Sequence, residues 1–472
     1  MFIVRYSEIG LKGDKARREM ERILIGNIQL YSEKNNVNVN YKKTDGRIFL
    51  YTDNNDFLCK ILPKLFGVKS FSYADEYKFN DITDIISKAK EKFSETVKDK
   101  KFAVIATRKG IHTFNSHDVE TGIGDMLYNY SSGVNLENPD IKIYVEIRDN
   151  RFYLFNEKIS GPGGLPLKSE GKAISLFSGG IDSPVSTYMV MKRGVACDLL
   201  FCSLAHPADT VYMLKIAKNL LEQYSIGYDN KIYLIDGSNL IAEIIKNPDQ
   251  KFTNLIFKEL LYQYAQNLCI KYGYNAIVTG ESIGQVSSQT PENIAAMSRD
   301  IYYPVYRPLI GFDKEETIDY SRAKNLYFNE SIGEFCSLFS KNPGIKVPYH
   351  DLKKEADKFD LNKYLHEIIV LRKDSIDLYM ESIENRYVND VPNNCNVIDL
   401  RNSNDYDKWH IDGAVNLNIR DLDSVIEHGD RDKNYFFYCN KGLNSAYAVS
   451  LMLENGYSAF YSTEKNLKKV KN

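Results

Sequence analysis

The sequence predicts a multidomain α/β protein organised around a doubly wound parallel sheet, and three observations carry that expectation. Strand-like runs at Ala173 to Phe177, Cys197 to Cys202, Ile232 to Ile235 and Ala276 to Thr279 alternate with helical stretches such as Ser183 to Arg193 and Thr210 to Tyr224. Such alternation is the pattern of parallel strands covered by helices on both faces. Two smaller mixed units come first, cut off where Gly161-Pro162-Gly163-Gly164-Leu165-Pro166 ends all periodicity. A compact strand-loop-helix unit closes the chain, and 472 residues leave room for such a set of domains.

The first unit reads as a strand (Phe2 to Tyr6), a helix (Arg17 to Ser32), a strand (Arg47 to Tyr51) and a helix starting at Lys60 to Leu65. The second reads as a helix (Ile82 to Val97), a strand (Phe102 to Thr107), a helix (Asp118 to Tyr130) and two strands, Lys142 to Arg148 and Arg151 to Asn156. Past the central sheet, the charged stretch Asp351 to Arg372 reads as helical, and the polar run Asn389 to Asn394 as the end of a linker. The expected divisions are 1–57, 58–160, 161–350, a helical linker at 351–394, and 395–472.

Lys plus Arg total 61 against 63 Asp plus Glu, so the net charge of -2 carries no overall signature of a nucleic-acid protein. Lys12, Lys15, Arg17, Arg18 and Arg22 are a local basic cluster. No basic, apolar leader and no apolar run of roughly 18 residues is present, so a soluble cytoplasmic protein with no membrane partner is expected. Seven scattered cysteines (59, 197, 202, 269, 336, 395, 439) without a C-x-x-C pair disfavour a zinc knuckle and a secreted disulfide framework. No protein-held metal centre is expected.

The most informative string is Ser178-Gly179-Gly180-Ile181-Asp182-Ser183, directly after a buried strand and before a helix with Ser183 as N-cap and Pro184 at its first position. Gly179 and Gly180 let an anion approach the main chain, Ser178 and Ser183 offer hydroxyls, and the helix start adds favourable partial charge. A pyrophosphate fits. Asp182 fits an anion site only with a cation present, which points to Mg²⁺ on the phosphates. The string resembles the PP-loop of ATP pyrophosphatases and lacks the Gly-Lys-Ser/Thr ending of a Walker loop.

Further segments narrow the resemblance: Arg5-Tyr6-Ser7-Glu8-Ile9-Gly10-Leu11-Lys12-Gly13, Thr279-Gly280-Glu281-Ser282-Ile283-Gly284-Gln285-Val286-Ser287-Ser288-Gln289-Thr290, Arg307-Pro308-Leu309-Ile310-Gly311-Phe312-Asp313-Lys314-Glu315 and Glu334-Phe335-Cys336-Ser337. Together they resemble the tRNA 4-thiouridine synthetase (tRNA sulfurtransferase) family over essentially the full chain. That resemblance implies a ferredoxin-like N-terminal domain, a THUMP RNA-binding domain, a PP-loop ATP pyrophosphatase domain and a rhodanese-like domain. It places ATP contacts on Leu176, Phe177, Phe201, Cys202, Lys258, Gly280 and Gln289, and residues essential for activation on Asp182 and Lys314. Family members often have Arg where this chain has Lys258. A Lys keeps the charge and loses the planar fork. Asp313 reads as an N-cap, putting Lys314 in a first helical turn where the dipole disfavours a cation unless a phosphate is near.

Near the end, Tyr435 to Tyr438 reads as a strand that runs into Cys439-Asn440-Lys441-Gly442-Leu443-Asn444-Ser445 and a helix. This resembles the rhodanese active-site loop, in which main-chain N–H groups at a helix start would lower the pKa of Cys439 and stabilise a thiolate or persulfide. Cys336 alone reads as a core cysteine. Its place after Glu334-Phe335 matches the family's second cysteine, so the resemblance implies a relay ending in a Cys336–Cys439 disulfide, by persulfide attack or released sulfide.

The resemblance implies tRNA as partner, with Lys12 to Arg22 and Arg108-Lys109 as candidate contacts, and a pyridoxal-phosphate cysteine desulfurase as sulfur donor. It also implies a supply of sulfur to a thiazole-pathway carrier protein for thiamine. A homodimer stays open. The expected activity is ATP-dependent adenylation of a tRNA uridine, position 8 in the family, followed by sulfur transfer to give 4-thiouridine. The alternative is a rhodanese-type sulfur carrier whose PP-loop domain only binds nucleotide or RNA.

Overall fold

The structure, a computed structural model, describes all residues except 7, 45, 204–206, 247–249, 329–342, 361–367 and 471–472. It divides into two compact units, Met1–Ser169 with Lys192–Gly194, and Glu170–Met191 with Val195–Asn472. No helix among the described residues is long and apolar enough to cross a membrane.

The first unit holds strands β1 (Phe2–Arg5), β2 (Asn40–Thr44), β3 (Arg47–Tyr51), β4 (Ser70–Tyr73), β5 (Asp75–Lys78), β6 (Phe102–Lys109), β7 (Ile141–Arg148), β8 (Arg151–Phe155) and β9 (Ile159–Ser160). They form two sheets, ordered β2-β3-β1-β4-β9 and β5-β8-β7-β6. The first sheet is antiparallel and packs the helix Asp14–Lys34, which buries Met20, Leu24, Ile25 and Ile28 at helical spacing. In the second sheet β6 and β7 run parallel, joined through the helix Ser116–Tyr128, as parallel pairing requires a crossover. The helix expected from Lys60 instead spans Asn55–Ile61, capped by Asn54, and gives way to a 3-10 turn at Leu62–Lys64 containing Pro63. Arg5, Arg47 and Arg148 converge on buried Glu146 at 3.2, 2.7 and 2.9 Å.

The second unit opens with β10 (Lys172–Leu176), β11 (Ala196–Ser203), β12 (Lys231–Asp236), β13 (Ala276–Val278), β14 (Val305–Tyr306) and β15 (Ile368–Arg372), in the order β14-β13-β10-β11-β12-β15. The first five strands are parallel, and Ile174, Leu200, Tyr233 and Ile277 pack from them against the helix Thr253–Tyr272. The stretch expected to be helical through Arg372 is helical only at Tyr349–Ala356 within the described residues. Its end is β15, paired antiparallel to β12 with Ile369 and Leu371 buried. The β-branched run Ile368-Ile369-Val370 gains more from an open sheet edge than a charged helix would offer it.

The chain closes with an all-parallel sheet of β16 (Cys395–Asp399), β17 (Val415–Asn416), β18 (Asn434–Cys439) and β19 (Ser458–Thr463), ordered β17-β16-β18-β19. The helix Ile376–Asn385 packs both on the helix Leu443–Glu454 of this sheet and on the helix Pro207–Tyr224 of the larger one. Lys218 reinforces the second contact with an ion pair to Asp377 at 2.6 Å, and buried Tyr379 donates to the Leu443 carbonyl at 3.3 Å.

Candidate active site

In the larger parallel sheet, β10 is flanked by β11 on one side and β13 on the other. The crevice outside the strand ends at such a reversal is where open α/β sheets bind ligands. The loop after β10 enters the helix Asp182–Lys192, two residues earlier than a Ser183 cap would give. Ser183 serves the loop instead: its Oγ accepts from the Ser178 N–H at 2.9 Å and donates to the Ser178 carbonyl at 3.1 Å. The Gly180 N–H donates to Ser178 Oγ at 3.3 Å. Both hydroxyls therefore hold the loop's shape as well as facing the pocket.

One pocket is lined by Leu176, Phe177, Ser178, Gly179, Gly180, Asp182, Ser183, Phe201, Cys202, Lys258, Gly280 and Gln289, every residue expected to contact the nucleotide. Leu200 from β11, and Phe257 and Leu261 from the helix Thr253–Tyr272, add apolar wall. Burial pushes the Cys202 thiol far above its ordinary range, so this cysteine is part of that wall.

Lys314 stands at the start of the helix Lys314–Ala323, whose N-cap Asp313 forms a capping box with Glu316. Its Nζ lies 3.0 and 3.2 Å from the two carboxylate oxygens of Asp182, and Gln285 Nε2 donates to the same carboxylate at 2.9 Å. Gly280 has a steric role. A Cβ there would sit 2.8 Å from the Asp182 carbonyl carbon and 3.0 Å from the Ser183 nitrogen, so only glycine lets the β13 end lie against the loop. Gln289 accepts from the Ser282 N–H at 3.2 Å, which fixes the loop after β13.

Sequence reasoning missed a buried network behind Lys258. Glu281, 5% exposed, accepts from Tyr262 at 2.5 Å and Arg307 at 2.9 Å, and lies 3.6 Å from Lys258 Nζ. Burial acts to raise its pKa, but Lys258, Tyr262 and Arg307 outweigh it and hold the carboxyl below its ordinary value. Both Glu281 and Arg307 stand inside segments that point to the family. Their contact with residues from a distant helix was the missing signal.

Cys439 ends β18, 6% exposed, with the Gly442 N–H donating to its sulfur at 3.1 Å and Ser445 Oγ 3.3 Å away. Gly442 has φ +98°, which turns the chain into the helix Leu443–Glu454. The expected cup of donors is there, but the expected fall in pKa is not. Burial raises the thiol's pKa more than the Ser445 and Gly442 contacts lower it, and the charge of Asp236, at the end of β12, adds to the rise. Cys336 lies outside the described residues.

Of the candidate RNA contacts, Arg17 and Arg22 pair with Asp14 and Glu19, and Arg108 is bound to the Gly110 carbonyl and His112. Lys12 and Lys15 are exposed on the surface. No group of three or more His, Cys, Asp or Glu suited to a metal ion occurs among the described residues.

A phosphate-type loop at the switch point of one parallel sheet, joined in one compact unit to a second sheet bearing a cradled cysteine, defines a nucleotide-loop protein fused to a sulfur-handling domain. Family models match along the chain: "ThiI ferredoxin-like domain" at 1–72, "THUMP domain" at 78–157, "Thiamine biosynthesis protein (ThiI)" at 168–361 and "Rhodanese-like domain" at 384–472. The tRNA sulfurtransferase of Thermoplasma volcanium is 41% identical over 100% of this chain and 97% of its own. That of Thermoplasma acidophilum is 41% identical over 99% and 96%. A crystal structure of a 4-thiouridine synthetase–RNA complex with bound ATP superposes with a TM-score of 0.67 at 27% identity, covering 79% of this chain and 98% of that one. The chain belongs to the tRNA sulfurtransferase family of enzymes, with ferredoxin-like, THUMP, PP-loop and rhodanese-like domains.

Proposed function

We propose that this enzyme forms 4-thiouridine in tRNA by ATP-dependent adenylation followed by sulfur transfer from Cys439. ATP is the co-substrate, its base and ribose against the apolar wall of Phe201, Cys202 and Leu176, and its phosphates on the loop from Ser178 to Ser183. O4 of the target uridine, position 8, attacks the α-phosphorus, the uracil N3 proton is lost and pyrophosphate leaves. Lys314 and the loop N–H groups offset charge on the departing phosphates. Asp182 would hold a Mg²⁺, which would supply positive charge to offset the negative charge of the phosphates.

The observation that carries this reading is the single pocket in which all twelve nucleotide-site residues meet, with Asp182 and Lys314 paired at its phosphate end. The ATP-bound, RNA-bound relative of similar fold supports it.

Sulfur enters as a persulfide on Cys439, supplied by a pyridoxal-phosphate cysteine desulfurase. In one route the terminal sulfur attacks C4, AMP departs, and Cys336 then attacks Cys439 Sγ to free the thiouridine. In the other Cys336 attacks first and releases sulfide, which displaces AMP. Both leave a Cys336–Cys439 disulfide for an external thiol to reduce. The reading extends to a cytoplasmic location and a second outlet of sulfur to a carrier protein of thiazole synthesis. Mass spectrometry of tRNA nucleosides after incubation with ATP and sulfide tests the core of it: 4-thiouridine is expected, and its absence refutes the assignment.

A further inference from the structure

The Gln285 side chain lines the nucleotide pocket at its phosphate end, where the attacked phosphorus and the uridine must meet. Its Nε2 is committed to Asp182 at 2.9 Å. A carboxylate only accepts, so the amide cannot be turned the other way without setting oxygen against oxygen. Its carbonyl Oε1 is therefore directed away from Asp182, and no partner holds it among the described residues. The loop that carries it is fixed on both sides: the Gly284 N–H donates to the Gln289 carbonyl at 2.9 Å, and Ser282 Oγ donates to the Phe312 carbonyl at 2.6 Å. A preset acceptor thus stands beside the place where the base must present its O4 edge.

We propose that Gln285 is the residue that selects uracil, its Oε1 accepting the N3–H of the target base while O4 faces the phosphorus. Uracil offers a donor at N3 beside an acceptor at C4. Cytosine offers an acceptor at N3, which would oppose Oε1, and an amino group at C4. A preset polar group that the wrong ligand leaves unpaired discriminates against that ligand. The lock on Asp182 gives the selection its geometry, since Lys314 and the carboxylate prevent the amide from flipping to suit cytosine.

This rests on the 4-thiouridine reading, and the test separates the two. Short RNAs with U or C at the target position are compared as competitors of the full-length enzyme. For the wild type the U-bearing RNA is expected to bind about ten-fold more tightly, the scale of one hydrogen bond and one opposed acceptor. Gln285→Met, which keeps shape and loses the acceptor, should bring the ratio close to one. Gln285→Glu, which keeps an acceptor oxygen but loses the N–H that locks onto Asp182, should lose the preference as well. A Gln285→Met or Gln285→Glu enzyme that still prefers U overturns the proposal. Wild-type enzyme that makes no 4-thiouridine refutes the parent reading as well.

Discussion

Lys314 Nζ lies 3.0 Å from one carboxylate oxygen of Asp182 and 3.2 Å from the other, across 132 residues of sequence. The pair joins the start of the helix after the phosphate loop to the start of the helix Lys314–Ala323. A cation in a first turn is disfavoured by the helix dipole, so its retention there argues for negative charge beyond Asp182 alone. Replacing Lys314 by Met should cut 4-thiouridine formation by about 100-fold or more, the usual cost of losing one preorganised stabilising group. Lys314→Arg should recover part of it. Pyrophosphate release with saturating tRNA and ATP is the measurement, and a Lys314→Met enzyme of normal rate would remove this residue from the site.

Gly280→Ala should both destabilise the protein and weaken nucleotide binding. The new methyl would meet Asp182 and Ser183 main-chain atoms at 2.8 to 3.0 Å, and backbone cannot yield as a flexible side chain can. A loss of about 1–3 kcal/mol by denaturant titration is expected, as for other overpacked sites, with ATP affinity down by at least ten-fold.

Glu281→Gln should cost about 3 kcal/mol, because Lys258 and Arg307 would keep their charges in a buried site that has lost its carboxylate. The pH dependence follows from the sign of the shift. The Glu281 carboxyl has a lowered pKa in the folded state, so its contribution is present above the ordinary carboxylate range. It is lost as pH falls through the lowered folded value. Wild type should therefore show an acid-induced loss of stability in that window that is smaller in Glu281→Gln. Chemical denaturation across acid pH measures it.

Glu259 has the opposite sign. It is 3% exposed, its Oε2 has no partner, and burial pushes its pKa up to about 7. The folded state thus holds a proton that the unfolded chain releases above about 4.3, so stability falls as pH rises towards 7 and stays lower beyond it. Glu259→Gln should flatten that decline between about pH 4 and 7. An unchanged slope would mean that Glu259 is ionised at no cost.

Cys439 should react slowly with iodoacetamide at neutral pH and faster only as pH rises beyond the ordinary thiol range, since burial raises its pKa. Ser445→Ala, which removes a contact that favours the thiolate, should slow it further. Cys439→Ser should abolish 4-thiouridine formation with a desulfurase and cysteine as donors and spare pyrophosphate release. Full transfer by Cys439→Ser would end the relay proposal.

The chemistry of the loop was readable from residues 172 to 183 because everything that shapes it is local: a strand, two glycines, two hydroxyls and a helix start. Even so, Ser183 was misplaced as a cap, since whether its hydroxyl bonds forward to the helix or back to Ser178 depends on where the helix begins. The strand at Ile368–Arg372 was read as helix because its charged surroundings favour one. Only the unpaired edge of β12 makes it a strand.

What the sequence determined by itself is the alternation of β10 to β13 with helices in the nucleotide domain, and the residue types at the loop and at Cys439. These follow from periodicity and short motifs, which neighbouring residues impose on one another. Only the tertiary structure decided which side chains share a charge. Glu281 gathers Lys258, Tyr262 and Arg307, Asp182 gathers Gln285 and Lys314, and the charge of Asp236 at the end of β12 raises the pKa of Cys439. Whether burial or hydrogen bonding sets a pKa depends on distances between segments far apart in the chain, and packing alone establishes those distances.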